Sequence, residues 1–496
     1  MAEVSATFDK ELPKELLELL ESKRGELEED ALQLLQGLIK IDTQNFGDEG
    51  TEIEAVKFIK EKLDEVGVQY EIIEPKPGRG NIVARIRGDG TSNKGAVLLN
   101  SHLDTVRAPR ENWQAEGWKH DPYGAVIDEE DGCLYGRGTI DMKNMAAMCV
   151  ALLRFVKTNN IVLSRDLIFA GVSDEERTES TWGARYLVEN RPELIEADVV
   201  FSELGGFSMR LVGKDVFPIQ IAEKGMARMK ITAQGPGGHG SLFHKVNPIA
   251  TIGQVAQFLH TRHLPLRVNI ANKATVNSMG SIMPFPVSTL FSQVLNASLS
   301  GFILRRFLTE DQQSTIGPLL HNTANPVVIQ GGDQMNQIPT TASLIVDCRF
   351  LPECTVEELM EEIKQLVGPS RFEIPEGSNQ AELAIECLAS RDSCSQDPHE
   401  PECSEILSII RDVISSRADG APIITNLIPG GTDLMYYSKH PTKSPICLGF
   451  TPVRMPPEMK FGSLFHATNE RIPVDGFKWG MGVLAEVAFH LCLAKL

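Results

Sequence analysis

The sequence predicts an α/β fold, in which a catalytic domain with a largely parallel central sheet carries an inserted α+β domain. Two patterns predict this architecture. Through the first 200 residues, apolar runs of strand length alternate with amphipathic helical segments, which is typical of a parallel sheet covered by helices. After Glu203 this alternation gives way to longer strands and helices in a different order. The change indicates a second domain within the first.

The predicted elements follow in chain order. Leucines at helical spacing occupy residues 12–41, and Thr51 stands where it would cap a helix that ends at Leu63, before Gly67. Later segments are predicted as strands at 69–74, 82–87, 96–100, 167–172 and 198–203, and as helices at 143–157 and 182–190. Open parallel sheets place their catalytic groups at the carboxyl ends of the strands.

The second domain has its own pattern. It is predicted to contain strands at 217–222, 226–233 and 343–349, a turn at 235–240, and helices at 247–260 and 356–367. We therefore predict a catalytic domain over 1–212, an inserted domain over 213–388, and a return to the catalytic domain over 389–496 that ends with a helix at 476–494. An apolar stretch between about 265 and 325 either covers a hydrophobic substrate or forms domain core or dimer surface.

Composition indicates a large globular protein and excludes some partners. The net charge of −19 and the lack of a basic stripe argue against nucleic acid. The N-terminus has no secretory signal pattern, and the most lipid-like stretch, 276–304, contains Pro284 and Pro286, so no membrane span is expected. Nine cysteines without a Cys-x-x-Cys pair indicate free thiols and a cytoplasmic location.

Metal-capable residues stand at the ends of the apolar runs or in glycine-containing turns. They are His102, Asp141, Glu176, Glu203 and His466. Two histidines and three carboxylates are too many for one tetrahedral zinc with an open position. They suit two metal ions about 3.5–4 Å apart, with one carboxylate between them.

Two further carboxylates have predicted roles beside the metals. Neighbouring side chains point in different directions at a strand end, so Glu176 can bind metal while Glu175 faces water as the general base. Asp104, two residues after His102, is expected to accept the second imidazole N–H and fix the tautomer. Taken singly, each motif is more often structural, since a lone histidine is usually a satisfied core residue and a glutamate pair a solvated face.

Taken together and in order, the motifs resemble a known family. They are His102-x-Asp104, Gly136-Arg-Gly-x-x-Asp-Met-Lys143, Asp174-Glu-Glu176, Glu203, Gly235-Pro-Gly-Gly-His-Gly-Ser241 and His466. This set is similar to that of the di-zinc amidohydrolases that include aminoacylase, glutamate carboxypeptidase, carboxypeptidase S and succinyl-diaminopimelate desuccinylase. The resemblance spans roughly residues 30 to 490.

The resemblance implies a zinc-exopeptidase-like catalytic domain and an inserted lid and dimerisation domain. It implies two zinc ions, with cobalt or manganese as substitutes. One zinc would be held by His102 and Glu203 and the other by Glu176 and His466, with Asp141 bridging and a cis peptide after it. The protein would be a homodimer whose His239 enters the partner's active site. Asn336, Arg349 and Gly431 match positions near the substrate, although Arg349 has an alternative role as an ion-pair partner of Asp347, and His244 is left undecided.

These expectations define a function and its alternatives. We expect a di-zinc hydrolase that cleaves an amide bond next to a free carboxylate, acting on a small peptide or an N-acyl amino acid. One alternative is a catalytically silent binding protein on the same fold, which should have lost ligands or the base. The other is a di-zinc aminopeptidase, which would lack the lid that carries His239.

Overall fold

A computed structural model of the chain describes residues 12–47, 49–177, 180–372, 381–493 and 495. It divides into two compact units. The first runs up to Ile221 and includes Gln396–Thr425 and the chain from Thr432, whereas the second comprises Ala222–Ser395 and Asn426–Gly431. The second unit thus begins and ends several residues later than the predicted 213–388, and it takes in a short segment that the sequence did not indicate. The first boundary lies inside a continuous strand, so no break in composition marks it.

A mixed sheet forms the centre of the first unit. Its strands are β1 (Gln69–Lys76), β2 (Arg79–Ile86), β3 (Val97–His102), β6 (Leu167–Val172), β7 (Val199–Ser202), β9 (Lys214–Glu223) and β18 (Ile446–Gly449). They lie in the order β1-β2-β6-β3-β7-β18-β9, where β6, β3, β7 and β18 are parallel and the outer pairings are antiparallel. The four parallel strands are buried along their whole length, as strands covered on both faces must be.

Smaller strands and the helices complete this unit. The strands are β4 (Val126–Asp128), β5 (Cys133–Tyr135), β8 (Met209–Leu211) and β19 (Arg471–Pro473), while β17 (Ile423–Ile428) runs across the boundary. The helices are α1 (Lys14–Ser22), α2 (Arg24–Ile39), α3 (Glu52–Asp64), α4 (Lys143–Thr158), α5 (Ala184–Asn190), α6 (Pro192–Ile195), α13 (Pro401–Arg417), α14 (Leu434–Tyr437) and α15 (Val474–Cys492).

Two helix predictions need correction. The predicted helical stretch 12–41 is two helices, because the chain leaves helical geometry at Lys23. Thr51 does stand before α3, but its hydroxyl donates a hydrogen bond to the main-chain oxygen of Asp42 and does not cap the helix. Gly67 has a positive φ of 70°, which suits the turn that follows α3.

The second unit is built on an antiparallel sheet with the order β12-β14-β10-β15. Its strands are β10 (Gly225–Gln234), β11 (Gly238–His239), β12 (Thr323–Gly331), β13 (Gln337–Ile338), β14 (Thr341–Phe350), β15 (Glu382–Arg391) and β16 (Cys394–Ser395). Its helices are α7 (Pro248–Thr261), α8 (Ile270–Ser281), α9 (Val287–Ser292), α10 (Ser300–Phe307), α11 (Glu310–Leu320) and α12 (Val356–Val367). Alternate residues of β10 and β14 pack with α7 and α12 to form its core.

The apolar stretch 265–325 folds into helices α8 to α11 with a core of their own. That core contains Val276, Phe291, Val294, Ile303, Leu304, Ile316 and Leu320, with Met279, Met283 and Leu295 packed against it. Most of the apolar side chains that suggested a hydrophobic substrate therefore pack on one another. Phe285 and Phe302 are among the side chains of this stretch that stay exposed, with 84% and 59% of their surface accessible.

Two features of the chain concern its cysteines and the length of its helices. None of the nine cysteines forms a disulfide bond, and eight of them are buried. None of the helices among the described residues has both the length and the apolar character needed to cross a membrane.

Candidate metal centre

The carboxyl ends of the parallel strands bring the predicted metal ligands together. His102 is the last residue of β3, Glu203 directly follows β7, and Glu176 lies in the turn after β6. Loops from elsewhere in the first unit supply Asp141, just before α4, and His466, before β19. Asp141 is followed by a cis peptide bond, as the family resemblance implied.

These side chains form two groups that share Asp141. The first contains His102, Asp141 and Glu203, and the second contains Asp141, Glu176 and His466; in each group the ligand-capable atoms lie within 4.8 Å of one another. His102 Nε2 is 3.0 Å from Asp141 Oδ1, and His466 Nε2 is 3.1 Å from Asp141 Oδ2. One carboxylate therefore presents one oxygen to each imidazole. This is the arrangement expected of a bridging ligand between two metal ions.

The interatomic distances fit metal coordination. Two ligands that each bind zinc at about 2.0–2.2 Å in a tetrahedral arrangement lie roughly 3.3 Å apart, and His466 Nε2 is 3.1 Å from Glu176 Oε2. The two groups differ in access, because His102 is buried and the His466 side chain is 54% exposed. The second group is therefore the open side of the site.

Asp104 contacts both His102 and the turn that carries the two glutamates. His102 Nδ1 lies 3.0 Å from the main-chain oxygen of Asp104 and 3.6 Å from its carboxylate, so the N–H donates to the carbonyl. This hydrogen bond places the lone pair of the neutral imidazole on Nε2, which faces Asp141. The Asp104 carboxylate instead accepts hydrogen bonds from the backbone N–H groups of Glu175 and Glu176, at 3.1 and 3.0 Å. Asp104 thus positions the imidazole and the glutamate turn together.

The two adjacent glutamates have different surroundings. Glu176 is bonded to His466 through Oε2 and accepts the backbone N–H of Val106 at 3.2 Å through Oε1. Glu175 is half-buried and belongs to neither ligand group among the described residues. Its charge is nevertheless close enough to help raise the pKa of Glu203. Glu175 therefore lies close to the ligands without belonging to either group, which is a suitable position for a proton acceptor.

The buried carboxylates of the site would be stabilised by bound cations. Burial, Glu175 and Asp141 raise the pKa of Glu203 well above its usual range, and burial and Asp141 raise that of Glu176 to about 7. Burial opposes ionisation of Asp141, but hydrogen bonds from His102 and His466 hold its pKa below the ordinary value. Hydrogen bonds to Asp141 and Glu176 raise the pKa of His466 to about 10. Carboxylates crowded in this way fit two divalent ions, which would neutralise them.

Sequence reasoning missed two residues that hold this centre in place. Glu470, fully buried, accepts hydrogen bonds from the backbone N–H of Ile140 at 2.9 Å and of Asp141 at 3.3 Å. It also pairs with buried Arg137 at 2.7 Å, and Arg137 in turn lies 3.5 Å from the main-chain oxygen of His466. Both residues stand inside the motifs of Asp141 and His466. The motifs single out the metal ligands, and only the folded structure shows that Arg137 and Glu470 contact each other.

The remaining predicted residues lie in the second unit. The strand pair β11 and β13 sets His239 opposite Gln337, and the main-chain oxygen of Asn336 accepts the N–H of Gly240 at 2.7 Å. His239 is exposed, with Nδ1 2.8 Å from Ser241 Oγ. The undecided His244 has a structural role, since its Nε2 donates to the main-chain oxygen of His239 at 2.8 Å.

Arg349 and Gly431 also have defined neighbours. Arg349 Nε lies 2.8 Å from Asp347 Oδ1, which is the ion pair that the sequence offered as its alternative role. A Cβ at Gly431 would lie 1.7 Å from Arg391 Nη2, so only glycine allows this approach. Arg391 is thus a cation beside the predicted glycine turn, and no sequence motif marks it.

Comparison with known proteins agrees with the fold and the site. The profile of peptidase family M20/M25/M40 matches residues 98–490, and the chain belongs to this family. It is a hydrolase of the metallopeptidase and amidohydrolase type that acts on amide bonds. The family resemblance and the fold class predicted from the sequence are confirmed.

Individual relatives are distant but cover most of the chain. A probable succinyl-diaminopimelate desuccinylase of Staphylococcus aureus strain MRSA252 is 25% identical over 412 residues, which is 82% of this chain and 85% of the relative. The human N-fatty-acyl-amino acid synthase/hydrolase PM20D1 is 24% identical over 462 residues, 90% of this chain and 84% of the relative. The M20 family metallo-carboxypeptidase Sso-CP2 of Sulfolobus solfataricus has the same fold, with a TM-score of 0.63 at 16% identity over 92% of this chain and 98% of that one.

Proposed function

We propose that the chain is a di-zinc hydrolase that cleaves an amide bond next to a free carboxylate. The observation that carries this proposal is the pair of ligand groups joined by Asp141, whose two oxygens face His102 and His466. Imidazole and carboxylate ligands suit zinc, and cobalt or manganese would be accepted by the same atoms. Two such ions, when bound, would polarise the amide carbonyl and activate the attacking water molecule.

The chain's own residues supply the proton transfer. Glu175 accepts a proton from the attacking water and returns it to the leaving nitrogen. Its orientation depends on Asp104, which binds the backbone of both glutamates. The exposed side of His466 supports substrate entry from that direction.

The substrate class rests on the relatives and on residues of the second unit. The two relatives described above are named for a desuccinylase and for an N-fatty-acyl-amino acid synthase/hydrolase. We therefore propose N-acyl amino acids or dipeptides as substrates. Arg349, oriented by Asp347, would hold the free carboxylate with its planar fork, and Asn336 and Gly431 would border the same group.

The proposal includes a homodimer formed by the second unit. β12 is an edge strand, and its consecutive residues Val327, Val328 and Ile329 are 56%, 46% and 57% exposed. An apolar edge strand of this kind is a surface for pairing with a second copy of the chain. In that dimer, His239 would stabilise the oxyanion in the partner's site, as the family resemblance implies. Buried thiols that form no disulfide bond support the proposed cytoplasmic location.

Substitution of Glu175 tests the function. Glu175→Gln should keep both metal ions and lose about 10²-fold or more in kcat, because the amide cannot accept the proton. The matched variant Glu176→Gln should lose metal as well as activity. Metal content and hydrolysis of dipeptides and N-acyl amino acids of graded chain length would be measured on both variants and on the parent protein.

Each outcome separates the alternatives. A metal-loaded parent protein that hydrolyses no substrate of this class would favour the catalytically silent binding protein. Preference for peptides with a free amino group and a blocked carboxylate would favour the di-zinc aminopeptidase. Loss of metal from Glu175→Gln would show that the two glutamates are assigned the wrong way round.

A further inference from the structure

A group of large apolar side chains in the second unit faces solvent between residues 285 and 307. The group consists of Phe285, Val287, Leu290, Leu299, Phe302 and Phe307. They lie on α9 and α10 and in the turns beside these helices. Together with the exposed Arg305 and Arg306 they make up the α9–α10 surface. Single exposed apolar residues are common on proteins, but a group of this size marks an interaction site.

The core of α8 to α11 is complete without these side chains. The two helices and the turn between them bury Phe291, Val294, Ile303 and Leu304. In α10 and the residue before it, Leu299, Phe302 and Arg306 are spaced by three and four residues, so they share the outer face. Val287 and Leu290 are likewise three residues apart on α9. Packing within this part of the unit therefore does not explain the apolar outer face.

Aromatic and cationic side chains lie next to one another on this surface. The rings of Phe302 and Phe307 meet edge to face, with their centroids 6.2 Å apart. The Arg306 guanidinium is 5.8 Å from the centroid of the Phe307 ring. Arg305 folds back along the helix, since a Cβ at Gly301 would lie 3.4 Å from its Nη2. The α9–α10 surface thus combines apolar rings with positive charge.

The sequence around this surface differs in charge from the rest of the chain. No aspartate or glutamate occurs between residues 224 and 309, whereas this stretch contains nine lysines and arginines. The whole chain, by contrast, has a net charge of −19. Some cations of the stretch pair with acids from other segments, as Lys230 does with Glu386 at 3.5 Å. The charge that matters for binding is therefore that of the exposed, unpaired cations.

Arg305 and Arg306 are cations of this kind. Both are exposed, and no ion pair within the described part of the chain includes either of them. The next acid along the chain, Glu310, lies in the first turn of α11, where the helix dipole stabilises a negative charge. The two arginines are therefore available to an anionic partner.

We propose that the α9–α10 surface binds the surface of an anionic lipid bilayer. Arg305 and Arg306 contact the lipid phosphates, while Phe285 and Phe302 enter the boundary between the headgroups and the acyl chains. These two rings are 84% and 59% exposed, so they protrude from the protein and suit insertion into a soft layer. The binding is peripheral and does not depend on the proposed function.

Co-sedimentation of the full chain with lipid vesicles tests this proposal. Vesicles of phosphatidylcholine alone are compared with vesicles that also contain phosphatidylserine or phosphatidylglycerol. Binding to both anionic mixtures should be at least about tenfold tighter than to the neutral vesicles and should weaken with added salt. Phosphatidylglycerol has no carboxylate, so binding to it excludes a headgroup carboxylate held at the metal centre. Binding that requires phosphatidylserine, equal binding to neutral vesicles, or no binding at all overturns the proposal.

Two double variants place the binding on the α9–α10 surface. Arg305→Gln combined with Arg306→Gln should weaken binding to anionic vesicles about tenfold or more. Phe285→Ser combined with Phe302→Ser should weaken it by a similar factor, because the inserted rings are lost. All four side chains are exposed, so these substitutions should leave the fold intact. Unchanged binding in either double variant refutes the assignment.

A matched control separates this surface from net charge. Lys14→Gln combined with Arg87→Gln also removes two cations, and these side chains are exposed in the first unit. This control should bind anionic vesicles as tightly as the parent protein. If it loses as much affinity as the variant at Arg305 and Arg306, net charge explains the binding and the proposal is overturned.

A second copy of the chain is the other occupant that an apolar surface could accept. Sedimentation velocity without lipid distinguishes the two occupants. The variant Phe285→Ser with Phe302→Ser should keep the oligomeric state of the parent protein. A change in that state would assign the surface to a contact between subunits and overturn the proposal.

Discussion

The buried ion pair between Arg137 and Glu470 should control both stability and the position of Asp141. The two side chains are 4% and 0% exposed, and the pair has a separation of 2.7 Å. In Glu470→Gln the shape is preserved, but Arg137 remains buried without an anion. Loss of one partner from such a pair costs about 3–5 kcal/mol. We therefore expect the free energy of unfolding of the metal-free first unit to fall by about that amount.

Urea unfolding followed by tryptophan fluorescence measures this effect. Trp113, Trp118, Trp182 and Trp479 all belong to the first unit, so the signal reports on that unit. Working with metal-free protein keeps changes in metal affinity out of the result.

Two matched variants complete the measurement. Asp215→Asn breaks the exposed pair between Arg210 and Asp215, whose side chains are 50% and 38% exposed, and should cost at most about 1 kcal/mol. Arg137→Met combined with Glu470→Gln removes both charges and should be more stable than Glu470→Gln alone. If Glu470→Gln costs no more than Asp215→Asn, the reasoning from burial is refuted.

Further predictions concern the metals, one glycine and the dimer. The pKa of His466 is raised to about 10 in metal-free protein. Zinc binding at pH 7 should therefore release protons, and the zinc affinity should increase as the pH rises towards 10. Equal heats of binding in buffers of different ionisation enthalpy would contradict this. Gly183→Ala should lower zinc affinity about 10–100-fold, because its Cβ would lie 1.8 Å from the main-chain oxygen of Ser173, before the glutamate turn; unchanged affinity measured by competition with a chelator would argue against it. Mixed dimers of inactive His239→Ala and inactive Glu175→Gln should regain activity, and no recovery despite proven subunit exchange would mean that His239 serves its own chain or none.

The metal centre was predictable because its geometry follows from local rules. An apolar run that ends in His102, or in Ser173 and the glutamates after it, is recognisable in sequence, and parallel strands bring their carboxyl ends to one edge. Asp141 and His466 come from loops, so no strand end places them at this edge, and their inclusion rested on residue type and on the family resemblance.

What the sequence could not supply depends on contacts between distant segments. Glu470 and Arg137 lie far apart in sequence and meet only in the folded chain. The same holds for Asp104, whose choice between its main-chain and side-chain oxygens depends on how the turn at Glu175 packs. Helix boundaries failed for a different reason, because leucine spacing continues across Lys23 although the helix does not.

The segment Asn426–Gly431 has a practical consequence for dissecting this protein. It belongs to the second unit, where the N–H of Leu427 donates to Thr275 Oγ1 at 2.9 Å and the main-chain oxygen of Ile428 accepts the N–H of Lys224 at 3.2 Å. A gene fragment that encodes only 222–395 would omit the segment 426–431 and its hydrogen bonds. A chimera that takes only that fragment from a relative would leave the relative's unit packed against the original segment 426–431. Modular recombination of this enzyme therefore needs two coordinated exchanges.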